Sequence, residues 1–99
     1  MKRNLVKILC NSDLTDRVIS ALDHAGAHHF LRIPEAVGTM FEPEGVIPRT
    51  ISWEATLFVV PGLTVEQIDR LVHELRDVVG ECSAENCLRI LVSRVERLL

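Results

Sequence analysis

Apolar residues recur along this chain with two different periods, and the switches between them mark out its elements. Leu5, Val6, Ile8, Leu9 and Cys10 crowd a run that favours extended backbone and stops at Asn11-Ser12-Asp13, which predicts a mostly buried strand over 5–10. Leu14, Val18, Ala21, Leu22 and Ala25 then fall at i, i+4, i+7, i+8 and i+11, one face of an amphipathic helix. Ser12 or Asp13 can cap that helix, and Gly26 can end it in the left-handed conformation.

The period returns to two at HHFLRI, which predicts a second strand over 28–33, and again at TISWEATLFVV, a third over 50–60. Between them runs PEAVGTMFEPEGVIPR, with three of the four prolines and two of the five glycines. That composition excludes a helix, and the length exceeds a hairpin turn, so a protruding loop is expected. Pro61-Gly62 reads as a turn. Thr64 and Gln67 have capping-box spacing, and Ile68, Leu71, Val72, Leu75, Val78 and Val79 form the stripe of a second helix ended by Gly80. After ECSAENC, the run from Cys87 predicts a fourth strand of roughly five to seven residues.

The order βαββαβ is that of a single α+β, ferredoxin-like domain over 1–99: a four-stranded antiparallel sheet with two helices on one face. Strand three sets Ile51, Trp53, Ala55, Leu57 and Val59 against Thr50, Ser52, Glu54, Thr56, Phe58 and Val60. Assigning the second set to the face away from the helices leaves that face partly apolar, which calls for cover by another copy and predicts a homo-oligomer.

Composition narrows the function. A formal net charge of −3, with the cations scattered, offers no footprint for nucleic acid. The apolar run near the N-terminus is too short for a signal segment or a membrane span, so a cytoplasmic protein with mostly reduced thiols is expected. No serine sits in a nucleophile elbow, and nothing pairs a nucleophile with a base, so no enzyme is expected.

Several stretches together resemble the PII-type signal-transduction proteins and their PII-like relatives. The opening strand at Leu5, the Ala25-Gly26-Ala27 helix end, and Ala36-Val37-Gly38 leading into the loop all match. So does Glu54 within WEATLFVV, while RILVSRVERL over 89–98 is similar to the family's basic-Ile-Phe-Val-Ser-Pro-Val ending. The resemblance implies a homotrimer with inter-subunit clefts for an adenine nucleotide or a small anion such as bicarbonate. It also implies a short T-loop over 38–50 that reaches a partner such as a membrane transporter.

On this analogy Gly38, Thr39, Arg49, Asn86 and Arg89 line the cleft, and Arg89 stands for the family's phosphate-contacting lysine. Three departures stand out. The family's Gly-Asp-Gly-Lys is here Asn86-Cys87-Leu88-Arg89, without the glycines that let backbone N–H groups approach a phosphate, and the chain has no tyrosine for nucleotidylation. It also ends at Leu99, short of the family's C-terminal arginines.

Other side chains carry chemistry of their own. Met40 and Phe41 beside Glu42 and Glu44 suit either docking to a partner or packing against a neighbouring copy. Cys82 and Cys87 are readable as plain thiols, as a reversible disulfide, or as half of a tetrahedral metal site. His24, His28 and His29 lie close in sequence, and with those cysteines they define the competing expectation, a transition-metal-binding accessory of an efflux system. They read equally as surface histidines, since consecutive strand residues face opposite ways.

Overall fold

The computed structural model describes residues 4–42, 49–80 and 87–94, except the side chains of 37–42, 49–53 and 79. Strand β1 (Asn4–Asn11) leads through a 3-10 turn (Ser12–Leu14) into helix α1 (Thr15–His24). Strands β2 (Leu31–Glu42) and β3 (Arg49–Leu63) follow, then helix α2 (Val65–Gly80) and strand β4 (Leu88–Arg94). The sheet order is β2-β3-β1-β4 with every neighbouring pair antiparallel, the expected ferredoxin-like arrangement.

The core lies between one face of the sheet and the two helices. Alternation along β1 sends Val6, Ile8 and Cys10 inward, all fully buried, and the register sets them beside Val60, Phe58 and Thr56 of β3. Val18, Ala21 and Leu22 from α1 and Leu71, Leu75 and Val78 from α2 close over them. Phe30 meets Phe58 edge to face at 5.6 Å between ring centroids. The Thr15 and Thr56 hydroxyls share a 2.8 Å hydrogen bond, which satisfies the polar side chain that β3 buries here.

The helix ends follow the sequence signals in part. Gly26 has φ +79°, its N–H donates to the Asp23 carbonyl at 3.0 Å, and the Ala27 N–H donates to Leu22 at 2.9 Å, a Schellman closure. The capping box at α2 is formed: the Thr64 N–H donates to Gln67 Oε1 at 3.0 Å, and the Gln67 N–H to Thr64 Oγ1 at 3.2 Å. Gln67 Nε2 also donates to the Gly26 carbonyl at 3.4 Å, tying the start of α2 to the end of α1. At α1 the expected cap is absent, because Ser12 and Asp13 are spent in the 3-10 turn and no side chain caps the helix. Gly80 is the last helical residue of α2 and has no positive φ.

Three expectations about the strands are corrected. The second strand starts at Leu31, not His28, because the chain leaving Gly26 runs over the core edge through Ala27 and Phe30 before it pairs. The segment read as a loop from Pro34 is largely strand: a register shift between Ile33 and Ala36 absorbs Pro34 as a bulge, and pairing resumes to Glu42↔Arg49. Similarly, Pro61-Gly62 is an irregularity inside β3, with Gly62 at φ +76°, rather than a turn after it.

The faces of strand three are also reversed. Phe58 and Val60 point to the helices, whereas Leu57 and Val59 lie on the open face. Both faces of this strand are apolar enough that alternation alone could not orient it. The open face is indeed partly apolar, with Leu31 60% and Leu91 60% exposed.

Cys10 is a free, buried thiol whose pKa is pushed up to about 11, first by burial and then by the negative charge of Asp13, against an opposing hydrogen bond from the Thr56 backbone. The folded protein therefore keeps this proton above the ordinary thiol value of 9.0, where the unfolded chain has lost it. Stability is expected to be unaffected by this group below pH 9 and to fall as pH rises from there toward 11, as denaturant titrations across that range would show. A Cys10→Ser variant whose alkaline loss matched the wild type would contradict this.

The two helix-end glycines give a second test. Gly26→Ala forces an alanine into the left-handed region, and its Cβ would meet only Gln67 Nε2 at 3.5 Å, so the loss is a backbone cost of about 1–2 kcal/mol. Gly80→Ala has nothing within 4 Å of the new Cβ, and is expected to be neutral or stabilising by up to about 1 kcal/mol. Thermal melts of the pair check the contrast in sign.

Candidate functional site

The expected ligand residues divide between opposite edges of the sheet. Gly38 and Thr39 lie on β2 opposite Trp53 and Ser52, and Arg49 closes the ladder opposite Glu42. Arg89 lies on β4 opposite Leu9, which in turn pairs with Leu57. Three strand spacings separate the edges, and four residues along β3 separate the two rows, which together put Gly38 and Arg89 about 20 Å apart. A small anion touching both must therefore bridge two copies of the chain. Asn86 lies outside the described residues.

Beyond the Asn11↔Ala55 pair, where β1 ends, β2 and β3 pair, among the described residues, only with each other and form a two-stranded arm out to Glu42↔Arg49. Of the expected partner-binding residues, Met40, Phe41 and Glu42 are strand residues of this arm, opposite Ile51, Thr50 and Arg49. Glu44 lies outside the described residues.

At the base of the arm, a cleft of about 380 Å³ is lined by Ser12, Pro34, Glu35, Ala36 and Glu54. Among its described lining residues the charged side chains are two carboxylates, Glu35 and Glu54, whose field disfavours an anion. Two cations lie on the open sheet face. There the register aligns Leu31, Val59, Lys7 and Leu91 in one row and Ile33, Leu57, Leu9 and Arg89 in the next, with Lys7 and Arg89 both exposed. Sequence reading picked out Arg89 but missed Lys7. A lone lysine in an apolar strand reads as a solvated position, and only the pairing with β4 sets it beside Arg89.

The metal-type residues are not gathered. His24 ends α1 with Nδ1 3.4 Å from Glu74 Oε2, while His28 Nδ1 lies 3.4 Å from Asp23 Oδ1, both on exposed surface. His28 and His29 lie before β2 rather than on it, so the opposite-face argument does not apply to them. Among the described residues no three His, Cys, Asp or Glu side chains converge on a point that could hold a metal ion.

Cys87 is disulfide-bonded, the second of the three readings open for the cysteine segment, and Cys10 is not its partner because that thiol is free. Cys82 lies outside the described residues. The Cys87 carbonyl accepts a 2.9 Å hydrogen bond from the Asn11 N–H, which fixes the entry to β4 against the end of β1.

No family model and no curated protein sequence matches the chain. Among solved structures it is similar to GlnK of B. subtilis in complex with ATP, with a TM-score of 0.76 at 11% identity over 95% of this chain and 82% of that one. It is also similar to CPII, a nitrogen regulatory PII-like protein from Thiomonas intermedia K12 bound to ADP, AMP and bicarbonate, with a TM-score of 0.67 at 11% identity over 100% and 98%. CutA1 from Oryza sativa gives a TM-score of 0.69 at 10% identity over 100% and 84%. At such identities the likeness is one of architecture: the chain has the ferredoxin-like fold of the PII and PII-like proteins, a fold that CutA1 shares.

Proposed function

We propose that this chain is a small cytoplasmic regulatory protein of PII-like type. It binds an adenine nucleotide or a small anion such as bicarbonate between copies and acts on a partner, a membrane transporter being the expected kind, through the arm over 38–50. It performs no catalysis of its own. The observation that carries this reading is the arm: the β2–β3 ribbon runs on beyond β1, and among the described residues no third strand lies beside it. An isolated two-stranded ribbon is marginal in water, so such an arm gains order from whatever it contacts, which suits a ligand-dependent docking element.

Two further observations support it. The halves of the expected ligand site lie at opposite sheet edges, which fits a site completed by a second copy. The open face carries Leu31, Ile33, Leu57, Val59, Leu9 and Leu91, and covering it with other copies removes apolar surface from water, consistent with a homotrimer. No helix among the described residues is long and apolar enough to cross a membrane, so the contact with a transporter would be made from outside the bilayer. The metal-accessory alternative finds no cluster of ligands to support it.

Calorimetric titration with ATP, ADP and AMP, each with and without bicarbonate, is expected to give saturable heat with at least one nucleotide. Absence of heat with every nucleotide and with bicarbonate alone would remove the reading.

A further inference from the structure

We propose that Lys7 and Arg89 form a two-cation clamp for a phosphate-type anion on the open face of the sheet. The register pairs Lys7 with Leu91 and Leu9 with Arg89, so the four residues make a square, with the cations on one diagonal and the leucines on the other. Alternation places all four on the face away from the helices, since Ile8 and Ile90 between them turn inward. Diagonal neighbours on a sheet lie about 7–8 Å apart at Cα, a separation from which two long side chains can close on one anion from both sides.

Two cations held this close repel each other unless an anion lies between them, and the structure supplies no internal one. Neither Lys7 nor Arg89 has an ion-pair partner among the described residues. The other described side chains on this face include Leu5, Leu9, Leu31, Ile33, Leu57, Val59, Leu91 and Ser93, with Asn11, Ala36 and Ala55 beyond them, and no carboxylate is among these. Arg89 offers a planar fork that matches phosphate oxygens, and Lys7 a point charge.

The clamp rests on the proposed function in taking Arg89 as an anion contact, and it deepens that reading in two ways. It supplies positive charge where the glycine-containing turn of the PII-type pattern is replaced by Asn86-Cys87-Leu88-Arg89. It also places the anion on the surface that other copies would cover, where two unpaired cations are costly to bury, so anion binding and self-association become coupled.

The test uses the full chain with inorganic pyrophosphate and, separately, ADP as probes. Lys7→Met, Arg89→Met and Lys7→Arg are compared by calorimetry, with melting curves and light-scattering mass as controls. Both methionine variants should bind pyrophosphate about tenfold more weakly or worse, and Lys7→Arg within a few-fold of wild type. Wild type that ignores pyrophosphate, or Lys7→Met that binds it as tightly as wild type, overturns the clamp. ADP binding that persists alongside that result leaves the nucleotide reading standing. Pyrophosphate binding that depends on Lys7 without any binding of ATP, ADP or AMP establishes the clamp and removes the nucleotide.

Discussion

The row Phe58, Ile8 and Ile90, running from β3 across β1 to β4 beneath the two helices, fixes the register on which the rest of the molecule depends. Phe58 and Ile8 are fully buried, and burying side chains of this size contributes about 1.5–3 kcal/mol each. A slip of one residue in either pairing would turn the row out to solvent and bring Lys7 or Arg89 in against the helices. The core therefore decides what the open face displays. Val6, Ile8, Phe58 and Val60 inward mean Lys7, Leu9, Leu57 and Val59 outward.

The same constraint builds the candidate site. Because β1 and β3 lie between the outer strands, Gly38 and Thr39 on β2 are held apart from Arg89 on β4, while Arg49 lies on β3. On the proposed function, bringing these residues together falls to another copy of the chain. The arm has a related origin: β3 is longer than β1, so once β1 ends at Asn11 the pair β2–β3 continues, among the described residues, without a third strand. Pro34 sits at the bulge where that change happens, and the missing proline N–H costs the ladder nothing there.

Much of the fold was legible because its signals are local. The positive φ at Gly26 and the reciprocal Thr64–Gln67 bonds each involve a few adjacent residues, and the βαββαβ order follows from two clear changes of period. What was illegible depends on residues far apart in sequence. Pro34 and Gly38 look like strand breakers until Ala55 and Trp53 are seen opposite the resumed ladder. Leu57 and Phe58 compete for the core on equal terms until Ile8 settles which one faces the helices. Lys7 and Arg89 are 82 positions apart, and no spacing rule could join them, although the strand pairing does so directly.

The central claim is that the open face, half apolar and carrying cations, is a surface between copies of the chain. Sedimentation equilibrium of the wild-type protein tests it most directly. The account predicts a particle of three times the 11.1 kDa chain mass. A mass of one chain throughout the concentration range, with and without nucleotide or pyrophosphate, would contradict it.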